Sequence, residues 1–593
     1  MLATMLIGAT SCDDFLTIYP QDRVVEENFW EDKNDLEGVR YGAYRQMAST
    51  IKNLIIWGDI RSDAYYIYQD DPTTDMVNNG FYTYKKILVA QLDSTMGFYD
   101  WGSVYTTINF CNKVLSNGER VLEHDAQFTQ TEWNQMKAEM TALRALNYFY
   151  LIRAFKNIPY SNDVINSDED TRQFAATPQL NVLDTLIMDV RSVAGKGRNR
   201  FGGSFGTRDT KGLMTNTAIY ALLAEMYLWR SALREGRGFS QDSVRSDADS
   251  VVFYGQLSLD ALALQTQQTT NSQFDRSRLK TSDYGSGLSN ANLIQNEDMQ
   301  GDFNAQSIVT VPSYTAIFEN GNSDESIFEI QFSSDDQRES KFLNELYGHG
   351  GASVLCASPD AFANASNLKD VNKDCRKWYT CQPRTDDSGS QDELSNPVML
   401  KWAVCTFLSN GSKVRTTHSS KYTYNNWIFY RMTDVMLMMA EAHAVLGNYK
   451  NCRNIVDAIH KRSQIDQTTG LSATSDNTQQ KCIDLVMKER LLELTGEGKR
   501  WFDLVRYAER YAGGHNADPL EPQYTDGADG VAKIVDNFLA KGAYSRQSST
   551  LKNRIKNRYG LYSPYYYMEL RANKYLFQQN PVWNREKTLG VEE

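Results

Sequence analysis

Apolar residues recur at steps of three and four along much of the chain. The clearest run is Trp133, Met136, Met140, Leu143, Leu146 and Tyr150, the spacing of a helix with one buried face. Thr129-Gln130-Thr131-Glu132 precedes it as a capping box, and Lys156-Asn157-Ile158-Pro159 ends it, since proline stops a helix. Further helices are predicted over about Leu213–Leu233, Arg431–Leu446 and Tyr449–Arg462, with Gly447-Asn448 as the stop between the last two. Between about 236 and 425 the helical period fades, and Ser, Asn, Asp, Gly and Gln dominate. There Ser326-Ile327-Phe328-Glu329-Ile330-Gln331-Phe332 alternates apolar with polar, the pattern of a half-buried strand. The expected fold is mainly α, with a loop-rich insert carrying a few short β-strands.

The chain of 593 residues is long for a single compact core, so one large composite domain or two intimate subdomains are expected. Its net charge of −12 speaks against nucleic acid, whose binding rests on Lys and Arg neutralising phosphates. After the N-terminus no apolar run of about 18 residues is long enough to span a membrane. The eight cysteines form no CxxC, and without Cys12 seven remain, an odd number that argues against a complete disulfide framework. The six histidines form no HxxxH or HxH, so a zinc site built from neighbouring ligands is not expected; ligands distant in sequence could still converge, and no residue is named as a metal ligand.

Residues 1–11 are apolar or small and end Gly8-Ala9-Thr10-Ser11 before Cys12, as in a secretory signal without its positive n-region. Leu6-Ile7-Gly8-Ala9-Thr10-Ser11-Cys12 resembles a bacterial lipobox, in which the cysteine becomes the acylated mature N-terminus. Acyl chains contribute about 0.8 kcal/mol per buried CH₂, so several of them hold a soluble body on a membrane. Asp13 and Asp14 resemble the acidic tag of surface-exposed Bacteroidetes lipoproteins. The competing reading of Cys12 is a buried structural thiol.

Ala440, Glu441, His443, Leu446, Gly447 and Tyr449 lie close to the tetratricopeptide pattern, in which a small residue lets two helices approach closely. Stacked hairpins of this kind build a stiff curved scaffold. Glu489-Arg490-Leu491-Leu492-Glu493-Leu494, then Gly496-Glu497-Gly498-Lys499-Arg500-Trp501-Phe502-Asp503-Leu504 and Arg506, resembles the ER..EL..EG.RW.DL.R signature of the SusD/RagB family. Arg431 to Ala442, Trp101 to Asn112 and Ala138 to Pro159 are similar to three further blocks of that family, in family order. Gln579-Asn580-Pro581-Val582-Trp583 departs from the family's ending by carrying Val where Gly is usual. Arg490, Glu493, Glu497, Arg500, Asp503 and Arg506 alternate in sign among apolar residues. We read them as a semi-buried ion-pair network that pins the last helices to the scaffold, rather than as an acid/base pair.

Within Phe201-Gly202-Gly203-Ser204-Phe205-Gly206 the letters GxSxG occur once, but the run follows no clear strand, as a nucleophile elbow must, and it reads as a loop; no GxGxxG or P-loop appears, so neither catalysis nor a cofactor is expected. Sugar rings present apolar C–H faces and polar rims, which aromatic side chains and Asp or Asn can match. The stretch from Trp57 to Pro72 supplies both kinds, and proteins similar to SusD often place glycan contacts on loops in this part. Trp57, Tyr65, Tyr66 and Tyr68 are the candidate rings, with Asp70 and Asp71 as hydroxyl acceptors. In the insert, Tyr347 and Trp378 are further candidates, followed by Tyr379, Trp402 and His349. Trp101, Tyr105, Trp229 and Trp501 fall on helical faces and are expected in the core.

The family resemblance implies a lipoprotein on the outer-membrane surface that captures an oligosaccharide and delivers it to a SusC-like TonB-dependent transporter. A RagB-like peptide or glycopeptide ligand, a glycoside hydrolase and a protein-binding tetratricopeptide scaffold are the alternatives. The expected organisation is a signal over 1–11 and a lipidated leash over 12–34. A helical region over 35–235, the insert over 236–425 and a second helical region over 426–593 follow. If Cys12 is the anchor, Cys12→Ala releases the protein from the membrane fraction to the soluble fraction on cell fractionation. Membrane retention of this variant in cells lacking the transporter would count against it.

Overall fold

The computed structural model describes residues 29–66, 81–166, 173–200, 210–270, 307–309, 312–333, 339–347, 355–358, 374, 376, 380, 399–402, 405–409, 414–418, 424–463, 478–513, 527–541, 548–576 and 578–583. Long helices dominate. In the N-terminal half they are α1 (Lys33–Gly58), α2 (Phe81–Leu88), α3 (Gly102–His124), α4 (Gln130–Phe155), α5 (Gln179–Val193), α6 (Asn216–Gly236) and α7 (Gln241–Thr270). After a short helix α8 (Lys341–Tyr347) come α9 (Met432–Val445), α10 (Tyr449–Ser463), α11 (Gln479–Leu494), α12 (Arg500–Arg510) and α13 (Ala528–Asn537). Two more, α14 (Ser548–Ile555) and α15 (Tyr567–Ala572), close the chain. Among the described residues no helix is long and apolar enough to cross a membrane.

Local chemistry sets the helix starts. Asp32 caps α1 by accepting from the backbone N–H groups of Asn34 and Asp35, and Asp35 returns the bond to the Asp32 N–H. Thr129 and Glu132 do the same for α4, as the spacing predicts. Each reciprocal pair satisfies two otherwise orphaned donors.

Successive helices pack as neighbours: α3 on α4, α4 on α5, α5 on α6 and α6 on α7. The chain then returns through α9, which lies on α7, α10 and α11, while α12 packs on α6 and α13. One continuous apolar core runs from Trp30 to Trp583. Among the described residues the strands are short and all their pairings antiparallel: β1 (Tyr65–Tyr66) with β6 (Cys356–Ala357), and β2 (Ile158–Pro159) with β3 (Ala176–Thr177). β5 (Ser326–Ile330) pairs with β9 (Trp427–Arg431), and a three-stranded sheet runs in the order β4 (Ser307–Val309), β7 (Cys405–Ser409), β8 (Val414–His418).

Two expectations change. The insert was expected to lose helical order from 236, yet α7 is a 30-residue helix. Its apolar stripe is thin, with Val244, Ala248, Val251, Leu259 and Leu262 buried among serines, aspartates and glutamines. Gly255 lets α7 come so close to α9 that a Cβ there would overlap the Met439 side chain. The second change concerns β5, which is buried on both faces rather than one. Glu329 is hidden because its carboxylate accepts from the Asn322 N–H at 2.9 Å, the Asn426 amide at 2.8 Å and the Ser326 hydroxyl. A buried acid with its acceptors filled is tolerable where a bare one is not.

A close backbone approach joins the two ends of the fold. Gly58, the last residue of α1, lies against the turn between α11 and α12, and Gly498 there adopts φ of +71°. A Cβ at Gly58 would collide with the Gly498 carbonyl oxygen and the Phe502 ring. Overpacking a rigid contact typically costs 1–3 kcal/mol and more against backbone. We expect Gly58→Ala to destabilise the protein by about 3 kcal/mol or more in urea unfolding. A change under about 1 kcal/mol would show that this contact is loose.

Candidate functional site

The residue run singled out for ligand contact begins where α1 ends. Its first part is folded inward. Trp57 is in the core, edge-on to Phe155, and its indole donates to the Phe98 carbonyl at 2.7 Å. Tyr65 is fully buried and its hydroxyl donates to Asp59 at 2.5 Å. Tyr347, arriving from α8, donates to the same carboxylate at 3.1 Å. The backbone N–H groups of Gly498 and Arg500 complete the set at 3.3 Å each, and the Gly496 N–H donates to the Tyr65 oxygen at 2.9 Å. Asp59 therefore knots together the end of α1, strand β1, helix α8 and the α11–α12 turn.

These positions correct the expectation that Trp57, Tyr65 and Tyr347 contact a ligand. Their rings are spent on the interior, and no ligand reaches them without opening the core. Trp402 is likewise buried, donating its indole N–H to the Gly496 carbonyl at 2.7 Å and stacked on Trp427. Tyr66 continues β1 opposite Cys356. Tyr68, Asp70, Asp71, Trp378, Tyr379 and His349 lie outside the described residues, as do Cys12 and residues 201–206. Trp101, Trp229 and Trp501 sit in the core, and Tyr105 is half-buried against it.

The charged signature forms a lattice that is fully buried, not half-exposed, and most of its bonds run outward to other elements. Arg490 donates to Asp503 at 2.8 Å and to Asp434 at 2.9 Å. Arg506 pairs with Asp503 at 2.9 Å and with Glu441 at 2.7 Å. Arg500 forms a two-point bond to Asp63 at 2.7 and 2.8 Å. Glu493 takes Arg431 at 2.7 Å, Arg462 at 2.5 Å and Arg376 at 3.3 Å. Glu497 takes Arg431 at 2.8 Å and Lys401 at 2.5 Å. Burial alone would push Glu441 up, but Arg506 and Arg510 outweigh it and hold the carboxyl down at about 2. Burial and its cations leave Asp434 at about 2 as well, through Lys499 and Arg490. Lys401 goes the other way: burial outweighs Glu497 and brings it to about 8.

Arg61 completes the frame without a carboxylate. Its guanidinium donates to the carbonyls of Leu561 at 3.0 Å and Gly560 at 2.6 Å and lies 4.1 Å over the Trp501 ring. Burial lowers it to about 10. The segment that bears the candidate tyrosines is thus gripped at Asp59, Arg61 and Asp63 before it leaves the described fold after Tyr66.

Where the chain re-enters at α2, it walls a polar pocket of about 430 Å³ that sequence reasoning did not find. Thr83 and Lys86, one turn apart on α2, face Asp93, Thr95 and Phe98 across it. Asp93 accepts from the Thr95 N–H at 2.9 Å and hydroxyl at 2.8 Å, which sets the turn into the next wall. Phe98 is half-buried and stacks on Tyr84 with centroids 4.9 Å apart. Tyr84 and Lys52 both donate to Glu345 on α8, at 2.9 and 2.7 Å, so the helix that holds Tyr347 also braces this pocket. Hydroxyl, ammonium, carboxylate and ring together can hold a polyhydroxylated ring. The Asp93-Ser94-Thr95 turn was the available signal, but nothing in the sequence says that it faces α2. Among the described residues no three His, Cys, Asp or Glu side chains are grouped to hold a metal ion.

Two family models match the chain. The model described as the SusD family covers residues 256–583, and one described as starch-binding associating with outer membrane covers 46–228. SusD-like protein P25 of Formosa agariphila is 23% identical over 522 residues, spanning 85% of this chain and 88% of that protein. A SusD superfamily protein of Bacteroides thetaiotaomicron superimposes with a TM-score of 0.60 at 17% identity, covering 94% of this chain and 99% of its own. A structure named laminarin binding SusD-like protein gives 0.56 at 16%, covering 93% and 99%.

Asp59 supplies a pH test of the knot. Burial raises its carboxyl from 3.8 to about 6, against the hydrogen bonds of Tyr65 and Tyr347. The folded protein then holds this proton more tightly than the unfolded chain does. Its contribution to stability is full below about pH 4 and is lost as pH rises through about 6, in total roughly 3 kcal/mol. Urea unfolding of wild type and Asp59→Asn between pH 4 and 7 should differ by a slope of this sign. Parallel curves would mean that Asp59 is not perturbed.

Proposed function

Since this chain belongs to the SusD family, we propose that it binds an oligosaccharide at the cell surface and passes it, uncleaved, to a SusC-like TonB-dependent transporter in the outer membrane. The observation that carries this reading is the pair of family matches, which together take in both halves of one helical fold. The description of the second, starch-binding associating with outer membrane, and the name of the laminarin-binding structural relative both favour a glucan-type ligand. In this reading the stacked helices are a tetratricopeptide-like frame that faces the transporter. Acyl chains on Cys12 tether the body to the membrane.

The physical support lies in how the charges are used. Glycoside hydrolysis needs two carboxylates poised across a bond. The signature carboxylates described above are each bound to two or three cations and hold helices together. The polar pocket beside α2 offers instead a ring edge, hydroxyls and one charge of each sign, suited to holding hydroxyls in place. Tyr66, Tyr68, Asp70 and Asp71, the candidates named from the sequence, are the further ligand contacts in this reading. The peptide alternative draws on the resemblance to RagB, and no feature of the pocket favours it.

Calorimetry with soluble glucans, other polysaccharides and a peptide mixture separates these readings. We expect saturable heat with at least one polysaccharide and no new reducing ends after prolonged incubation. Phe98→Ala and Tyr68→Ala should each weaken binding about threefold to tenfold, the worth of one aromatic contact. Heat with peptides alone would transfer the proposal to a peptide ligand, and sugar release would make the protein a hydrolase.

A further inference from the structure

A second cleft, of about 340 Å³, lies where α3 and the segment after α4 meet α15. Its floor is apolar and aromatic: Trp101, Tyr105, Ile108, Tyr148, Phe174 and Leu576. Two carboxylates, Asp163 and Glu569, line it, and none of the lining residues carries a positive charge.

The polar groups of the walls are committed to one another. The Tyr105 and Tyr148 hydroxyls donate to the Pro159 and Ser161 carbonyls, each at 2.6 Å. The Asn109 amide exchanges two bonds with the backbone of Ile165, at 2.7 and 2.9 Å. Gln173 donates to the Ala572 carbonyl at 2.9 Å, and Asn573 to the Phe174 carbonyl at 2.8 Å. The Trp101 indole bonds Glu569. A neutral sugar, which needs both donors and acceptors, is poorly served here. A group that brings its own N–H donors and a positive charge on an apolar stem is well served, because ring faces and carboxylates both attract it.

We propose that this cleft binds an alkylammonium or guanidinium group, carried either by a small free amine or by the basic side chain of a peptide. The site is separate from the pocket beside α2 and does not rest on the glycan reading. Glu569 is the ion partner and the aromatic floor takes the aliphatic stem. Burial raises the Glu569 carboxyl, and Asp100 nearby adds to this. An incoming cation relieves both.

The test uses the intact protein with N-acetyl-lysine methylamide, its neutral isostere N-acetyl-norleucine methylamide, and n-butylamine, followed by saturation-transfer NMR and calorimetry at pH 7. The lysine derivative should bind saturably and about tenfold or more tightly than the isostere, the worth of one charged hydrogen bond. Glu569→Gln should erase that difference while leaving polysaccharide heat unchanged. Binding of butylamine with comparable affinity assigns the site to free amines, and binding of the lysine derivative alone assigns it to peptides. Equal binding of the neutral isostere by the wild type, or no saturable signal from either cation, overturns the proposal without touching the glycan reading. The isostere comparison needs no variant and stands even if Glu569→Gln fails to fold.

Discussion

A charge taken out of water must be met by an opposite charge or by filled hydrogen bonds, and this requirement organises the fold. Removing one partner of a buried pair typically costs about 3–5 kcal/mol, because the other is left stranded. The end of α11 and the turn after it carry Glu493 and Glu497 into the interior, where Arg376, Lys401, Arg431 and Arg462 converge on them from three separate stretches of chain. On the far side, Arg490 and Arg506 share Asp503 and reach Asp434 and Glu441 on α9. Two-point guanidinium bonds fix angle as well as distance. Helices α9, α11 and α12 therefore have little freedom to slide, however interchangeable their apolar faces are.

The same turn sets the geometry of the segment that follows α1. Its backbone donors reach Asp59, and Arg500 reaches Asp63, so the end of α1 is registered against residues more than 400 positions later. Rings that look like a platform in sequence become struts. Tyr65 and Tyr347 meet on one carboxylate, and their mutual tilt, with centroids 6.1 Å apart, leaves the polar tips inside.

Much of the helical frame was legible. Thr129 and Glu132 announced α4, Gly447-Asn448 divided α9 from α10, and the alternating charges around Arg490 and Arg500 pointed to pairing. What failed has a physical cause in each case. Tyr and Trp carry no mark of which way they face, so Trp57 and Tyr65 read as exposed until Phe98 and Asp59 were seen to claim their polar atoms. Helix α7 hid behind its serines and aspartates because only a narrow stripe of it is apolar. The pocket at Thr83, Lys86 and Asp93 depends on a turn folding back onto the preceding helix, and such a contact leaves no local period.

The approach of Gly58 to Gly498 also bears on how the molecule is made. A growing chain exposes its N-terminal end first, so Asp59 and Asp63 emerge some 440 residues before Gly498 and Arg500 are joined to it. Until then α1 can pack on α3 but not on the α11–α12 turn, and the carboxylates that follow it stay in water. The finished architecture is reached only when nearly all of the polypeptide has been added. A truncated product lacking the last hundred residues would be an open, sticky intermediate rather than a smaller working version.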